Sequence, residues 1–427
     1  MTLSISLVAT AALAISQATL VRAMASPDNI NFVLPLYPGS SVNSGPESGD
    51  GWSAKQVRNT ENSLDGPIAL AKIYQRYELE IPEDLENYLS RRQKRASLRA
   101  PLLDTVDSVY LVPVKVGLPK EDFNLIFDTA WSGVWMLSEK TTNSRAQKPY
   151  NPDNFISSEV MEGYTWEIQH PVAGTASGVV YEEFVSIGND GRSLTSRSQA
   201  IQIVNSISGI QYSNDVSGVM GMAFSSMNPI KPEPQLNFFD NVMGKLDEKI
   251  FTVDMKNFGI GNLRFGHFDS GAYTGDIGYT DVQNGNGYWN FTIGGLLKDG
   301  TTVPAGIKYA VADTASSMVL LPAPYVAAYY AQIPGAGYSK QYGGFVYPCA
   351  SQVPEFTFEI GGVQISIPGS YIRFSLVHEE PRYCFGGLQS SHEHGFSVIG
   401  NIAFKSAFVV FDPVNSKIGW AKKELRS

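Results

Sequence analysis

Charge is scarce in this sequence. Asp, Glu, Lys and Arg together make up 17% of the 427 residues, against about 25% in an average globular domain. Solubility therefore rests on Ser, Thr, Asn and Gln. Positive charge is scarcer still: 32 Lys and Arg stand against 41 Asp and Glu, a net charge of −9. The first 99 residues carry ten of each sign, so the whole acidic excess lies in residues 100–427. A body of that sign repels a phosphate backbone, which excludes nucleic acid as a partner. It suits acidic surroundings, where protonation of carboxylates relieves self-repulsion. Cysteine is nearly absent, with only Cys349 and Cys384. Two such residues fit a secreted protein with a single disulfide, or two free thiols in a core. After residue 25 no apolar run is long enough to span a bilayer.

The residues that are abundant point to a β-rich chain with many turns: Gly 40, Tyr 21 and Phe 22. The length allows two or three domains. Residues 1–25 read as a secretory signal peptide, with apolar and small residues from Leu3 to Val21 and the small-x-small pattern Ala23-Met24-Ala25. No Lys or Arg precedes that run. The alternative is a membrane anchor, but the run is short and diluted by Ser, Thr and Gln. Secretion is the expected destination. The sequon Asn290-Phe291-Thr292 makes Asn290 a candidate glycosylation site.

Residues 26–66, rich in Ser, Gly, Asn and Pro, predict a loosely ordered segment. Pro67 to Tyr77 predicts a helix with proline in its first turn. A second helix starts at Pro82-Glu83-Asp84, with acids favourable to the helix dipole. It closes on Arg91-Arg92-Gln93-Lys94-Arg95, read as an exposed processing linker. Strand-like runs follow at Tyr110–Gly117 and Phe123–Phe127. Trp166–His170 and Gly178–Gly188 predict a hairpin with a long tip. A short helix is expected from Phe238 to Leu246. Further strands are expected at 263–268, 289–293 and 307–311, and a helix from Pro324 to Gln332.

Two stretches stand apart. Phe127-Asp128-Thr129-Ala130-Trp131-Ser132 and Ala312-Asp313-Thr314-Ala315-Ser316-Ser317 each place an acid, a threonine and a small residue after an apolar run. Asp, Thr and Ser are ordinary turn residues, so one copy alone would mean little. Two copies 185 positions apart, each followed later by an apolar-apolar-Gly turn (Val219-Met220-Gly221 and Val398-Ile399-Gly400), predict two similar lobes that bring one carboxylate each to a shared cleft.

With these motifs the chain resembles the pepsin-like aspartic endopeptidases of the secreted fungal type. The likeness extends over Gly66-Pro67 to Leu85, Ala223-Phe224-Ser225-Ser226, Tyr279-Thr280-Asp281-Val282, Gly343 to Cys349, Cys384 to Ser390 and Lys405 to Asp412. It implies an all-β, bilobal fold with a helical propeptide: signal peptide 1–25, propeptide 26–99, N-terminal lobe 100–290 and C-terminal lobe 291–427. It implies catalytic Asp128 and Asp313, a flap near His170–Thr175, a disulfide between Cys349 and Cys384, and a propeptide cation, Arg76, paired with the acids. His170, Trp131, Ser316 and Trp135 are the expected substrate-binding residues. Implied partners are a peptide or protein substrate and the chain's own propeptide. A monomer without cofactor or metal is expected, bound to neither membrane nor nucleic acid.

The chemistry of such a family needs two carboxyls. Held about 3 Å apart they share one proton, the established behaviour of aspartic protease pairs. The ionised member activates a water and the protonated member donates to the substrate carbonyl. This sequence departs from the family pattern around that pair. Ala130 and Ala315 stand where glycine is usual, Trp131 where serine is usual, and His170-Pro171 where the flap carries Tyr-Gly. Asn401 stands in the place of an aspartate. Two other readings therefore stay open: the same fold repurposed for acid–base chemistry on a small molecule, and an inactive peptide-binding relative.

Overall fold

The computed structural model describes residues 32–38 as backbone, and residues 65–96, 110–141, 146, 148–170, 174–188, 193–208, 215–257, 259–298, 301–377, 379–392 and 396–425. The signal-peptide reading and the expected domain borders at 25/26 and 99/100 lie outside these residues.

Strands dominate, in sheets of fourteen, seven and four strands. The reason is visible in β3 (Glu121–Asp128). Phe123, Leu125 and Phe127 alternate into the main core, while Ile126 enters a second apolar cluster on the opposite face. A strand covered on both faces needs such a run, and the period of two delivers Asp128 to the same face as Ile126. β3 lies between β2 (Tyr110–Val116), antiparallel, and β8 (Gly218–Met222), parallel. β8 in turn pairs antiparallel with β4 (Ser132–Leu137). The second half repeats the arrangement. The strand Thr301–Ala312 runs parallel to Ser397–Ile399, which pairs antiparallel with Val319–Leu321. The halves meet over an aromatic core in which Phe251 stacks on Phe411 at 4.6 Å and Trp289 meets Phe411 edge-on at 4.9 Å. Trp289 Nε1 donates to Met222 O at 2.9 Å. Burying each such ring contributes about 2–3 kcal/mol.

Several expectations shift in detail. Within the stretch expected to be loose, β1 (Phe32–Pro38) pairs with the strand Gly259–Phe265 and touches β2 only at Tyr37 and Pro38. Pro35 therefore sits in what is locally an edge strand, where a missing N–H costs no ladder bond. The hairpin is longer than predicted and its tip shorter: β5 (Glu159–His170) and β6 (Gly174–Ile187) stay in register out to His170 opposite Gly174. Residues 171–173 lie outside the described set. The predicted helix at 238–246 is a helix Phe238–Val242 followed by a 3-10 turn Met243–Lys245. Cys349 and Cys384 form a disulfide. No helix among the described residues is long and apolar enough to cross a membrane.

The two N-terminal helices, Gly66–Arg76 and Glu83–Ala96, lie on the second half of the chain. Asp65 caps the first, accepting from Ile68 N at 3.2 Å. Leu70, Ile73, Tyr74, Leu85 and Tyr88 pack against Met318, Leu320, Val346, Phe385 and Val398. The basic run Arg91 to Arg95 closes the second helix as expected, and the helix continues to Ala96. Arg92 pairs with Asp65 at 3.0 Å, and Arg91 donates to Gln341 O at 2.5 Å.

Candidate active site

The two acid-bearing loops follow equivalent strands and are tied to each other. Thr129 Oγ1 donates to Ala312 O at 2.7 Å and Thr314 Oγ1 to Phe127 O at 2.9 Å. Each hydroxyl also accepts the other threonine's backbone N–H at 3.0 Å. All four bonds are buried and each crosses from one half to the other. They fix the separation of the residues directly before them, Asp128 and Asp313. Glycines of the crossing turns pack tightly beneath. Gly221 lies opposite Asp128 in register, and a Cβ there would collide with the backbone of Trp131 and Gly133. A Cβ on Gly400 would collide equally with Ser316 and Met318.

Both carboxylates are out of solvent, their side chains 4% and 0% exposed, and both face one guanidinium. Arg76, the last residue of the first helix, sets Nη2 2.5 Å from Asp128 Oδ1. Its Nε lies 3.0 Å from Asp313 Oδ2, as an ion pair without hydrogen-bond alignment. The next residue adds a contact that no sequence motif announces: Tyr77 donates its hydroxyl to Asp313 Oδ2 at 2.6 Å. The Tyr77 ring is held by Phe396 at 4.9 Å and Tyr288 at 5.6 Å. The only hint in the sequence is the placing of an aromatic directly after a cation at a helix end.

Electrostatics follow from burial. Burial pushes the Asp128 carboxyl above its ordinary range and the neighbouring Asp313 pushes it further, against the opposing pull of Arg76. Burial works against the Arg76 charge, but Asp128 and Asp313 override it and hold the guanidinium more firmly protonated. Burial, reinforced by Asp313, raises the Tyr77 hydroxyl and keeps it a donor.

The altered positions find different accommodations. Ala130 and Ala315 carry no positive φ, so a methyl is tolerated at both. Their amides close onto the acids, Ala130 N to Asp128 Oδ1 at 2.9 Å and Ala315 N to Asp313 Oδ1 at 2.8 Å. Ser316 donates to Asp313 twice, from N at 3.1 Å and from Oγ at 2.5 Å. Trp131, in the matching place beside Asp128, turns its indole onto the apolar cluster around Leu111, Ile126 and Val219. Its Nε1 finds no hydrogen-bond partner. Trp135, expected to touch substrate, is buried in the same cluster, its ring 6.3 Å from that of Trp166. His170 ends β5, beside the undescribed hairpin tip. Asn401 N donates to Ser316 O at 2.7 Å and so braces the second loop. Asn290 is only 3% exposed, and its amide donates to Gln283 O at 3.1 Å and Asn286 Oδ1 at 2.5 Å. A glycan there would have to be attached before the strand folds.

The comparisons agree with this architecture. Residues 109–423 match the family described as eukaryotic aspartyl protease. Endothiapepsin of Cryphonectria parasitica is 36% identical over 417 residues, 95% of this chain and 98% of that protein. Aspergillopepsin-1 of Aspergillus fumigatus is 35% identical over 371 residues, 86% of this chain and 90% of that protein. The crystal structure of the aspartic proteinase from Irpex lacteus superposes with a TM-score of 0.60 at 20% identity, covering 74% of this chain and 95% of that one. The chain is thus a pepsin-like member of the eukaryotic aspartyl protease family, a hydrolase of the aspartic type.

Proposed function

We propose that this protein is a secreted endopeptidase that hydrolyses extended peptides at acid pH through Asp128 and Asp313, and that residues 26–99 are its propeptide. The observation that carries the reading is the pair of buried carboxylates on one guanidinium, held in place by exchanged threonine hydrogen bonds. With Arg76 withdrawn, the same two acids face a water and a peptide carbonyl. One carboxylate takes a proton from the water as its oxygen bonds to the carbonyl carbon, and the other carboxyl gives its proton to the carbonyl oxygen. The C–N bond of the tetrahedral adduct then breaks as the nitrogen is protonated, and both acids return to their starting states. Arg76 and Tyr77 occupy the acids in the full chain, which makes the first helix an inhibitor of the site it covers.

The test is release of peptides from a denatured protein at about pH 3–5, with the purified, processed protein, freed of residues 1–99, compared against Asp128→Asn prepared alike. Cleavage by the parent and a loss of at least about a hundredfold in the variant are expected. Equal release by both overturns the reading. Intact substrate with both proteins also overturns it, and favours the small-molecule or peptide-binding alternatives.

A further inference from the structure

The surroundings of Asp128 and Asp313 leave unequal room for a side chain on the two sides of the pair. In the first half, Leu111, Ile126, Val219 and Trp135 stand in register across β2, β3, β8 and β4. Ile126 and Asp128 point to the same face of β3, so this apolar row lies one side-chain step from the carboxylate. Ile168 of β5 and Ala315 of the second acid loop pack against the same cluster, which therefore reaches from the hairpin to the opposite half. A row so placed is the wall on which a peptide side chain would lie beside Asp128. Here the chain covers that wall itself. Trp131 follows the acid by three residues and packs its indole on the cluster, with Nε1 buried. Leu111, Ile126 and Val219 beneath are 1%, 6% and 4% exposed.

The Asp313 side differs. Ser316, whose carbonyl accepts Asn401 N as that of Trp131 accepts Ala223 N, holds the matching place in the second loop and turns its short side chain onto Asp313. Beside that carboxylate the ring of Tyr77 rests against Phe396 and Tyr288. An aromatic ring is therefore accommodated there, and the place becomes free once the first helix leaves. We infer that Trp131 fills the side-chain pocket beside Asp128, so that the substrates of this protein are peptides with glycine or alanine on that side of the cleaved bond and an aromatic residue on the other. Trp131 sets specificity by exclusion. A larger side chain enters only by displacing the indole from apolar surface that the indole already keeps dry, so the contacts it gains replace contacts that are lost.

The inference rests on the cleft being the peptide site of the proposed activity, and its test reads binding without turnover. The probes are short peptides whose central bond is reduced to a methylene-amine, with the pairs Ala-Tyr, Tyr-Ala, Phe-Tyr and Tyr-Phe at that bond. Calorimetry follows their binding to the processed protein, prepared by cleavage of the folded full chain. The better alanine peptide is expected to bind at least about a hundredfold more tightly than either phenylalanine peptide. Trp131→Ala is expected to reduce that ratio at least about tenfold, through tighter binding of a phenylalanine peptide. Trp131→Leu, a smaller change, is expected to move it in the same direction, so an alanine variant that fails to fold leaves the test standing. Equal binding of alanine and phenylalanine peptides by the parent overturns the inference, as does a ratio that Trp131→Leu leaves unmoved, or a failure of every peptide to bind. Selective binding without cleavage of the corresponding amide peptides sinks the proposed activity and leaves the filled pocket. Cleavage without selectivity does the reverse.

Discussion

At the scale of single residues, the arrangement depends on two threonines more than on the acids they follow. Thr129→Val keeps the side-chain volume but leaves the Ala312 carbonyl and the Thr314 amide without their buried partners. Each orphaned group costs about 1–3 kcal/mol, so a loss of about 3 kcal/mol is expected in urea unfolding. Thr314→Val should behave alike. The double variant should lose less than the sum by about 1 kcal/mol or more, because the two pairs of bonds lie in one crossing and breaking either pair loosens the other. Additive losses would show that the two pairs of bonds act independently and not as one joint. Asp128 and Asp313 are legible in the sequence because their motif repeats, and repetition is a signal that survives without coordinates; Arg76 is legible only through the family resemblance of its segment. The threonine exchange is legible only as a doubled Asp-Thr, since which atoms meet depends on how the halves face. The direction of the Trp131 indole is not legible at all. It is decided by an apolar cluster assembled from β2, β3 and β8, far apart in the chain.

At the scale of elements, one acid organises the N-terminal helices. Asp65 accepts from the first turn of the first helix, from the Tyr88 hydroxyl at 2.8 Å and from Arg92 at 3.0 Å, so it ties the two helices together. Asp65→Ala removes a cap worth about 1 kcal/mol and strands a tyrosine hydroxyl and an arginine. Amide exchange across Gly66–Arg76 should quicken at least about tenfold while exchange in β3 and β8 holds. Equal protection in both proteins would refute the anchoring role. The first helix can be read from its pattern, because Pro67 and the apolar spacing agree. The second is legible as a helix that ends in a basic run, but only the fold brings Asp65 and Gln341 against that run. β1 is missed for a different reason. Pro35 and Pro38 argue against a paired strand, and only the tertiary edge position cancels the argument.

At the scale of the whole molecule, the contact between Arg76 and the acids links the docking of the N-terminal helices to pH. Arg76 lowers the proton affinity of Asp128 in the docked state, although burial leaves the carboxyl above the ordinary 3.8. Once the helix leaves, that opposing pull is gone, and the share of Asp128's proton affinity that Arg76 suppressed returns. Through this pair, release is coupled to proton uptake. The docking stability supplied by this pair is complete above the released-state value of Asp128 and is lost as pH falls toward the docked value, a window lying above 3.8. Below it a guanidinium faces a neutral acid, and Arg76, with its side chain 27% exposed, recovers part of its hydration only by moving out. As a hydrogen bond between charged groups, discounted toward the low end for that exposure, the pair is worth about 2 kcal/mol, roughly a thirtyfold change in opening. Amide exchange in the first helix, corrected for intrinsic rates, should show protection falling by that factor between pH 7 and pH 4. Tyr77 and Tyr288 stay protonated throughout and add no slope. Arg76→Gln should open more readily at pH 7 and lose most of the pH dependence. A slope that persists in Arg76→Gln would mean that some other acid, and not the pair in the cleft, controls when the site is uncovered.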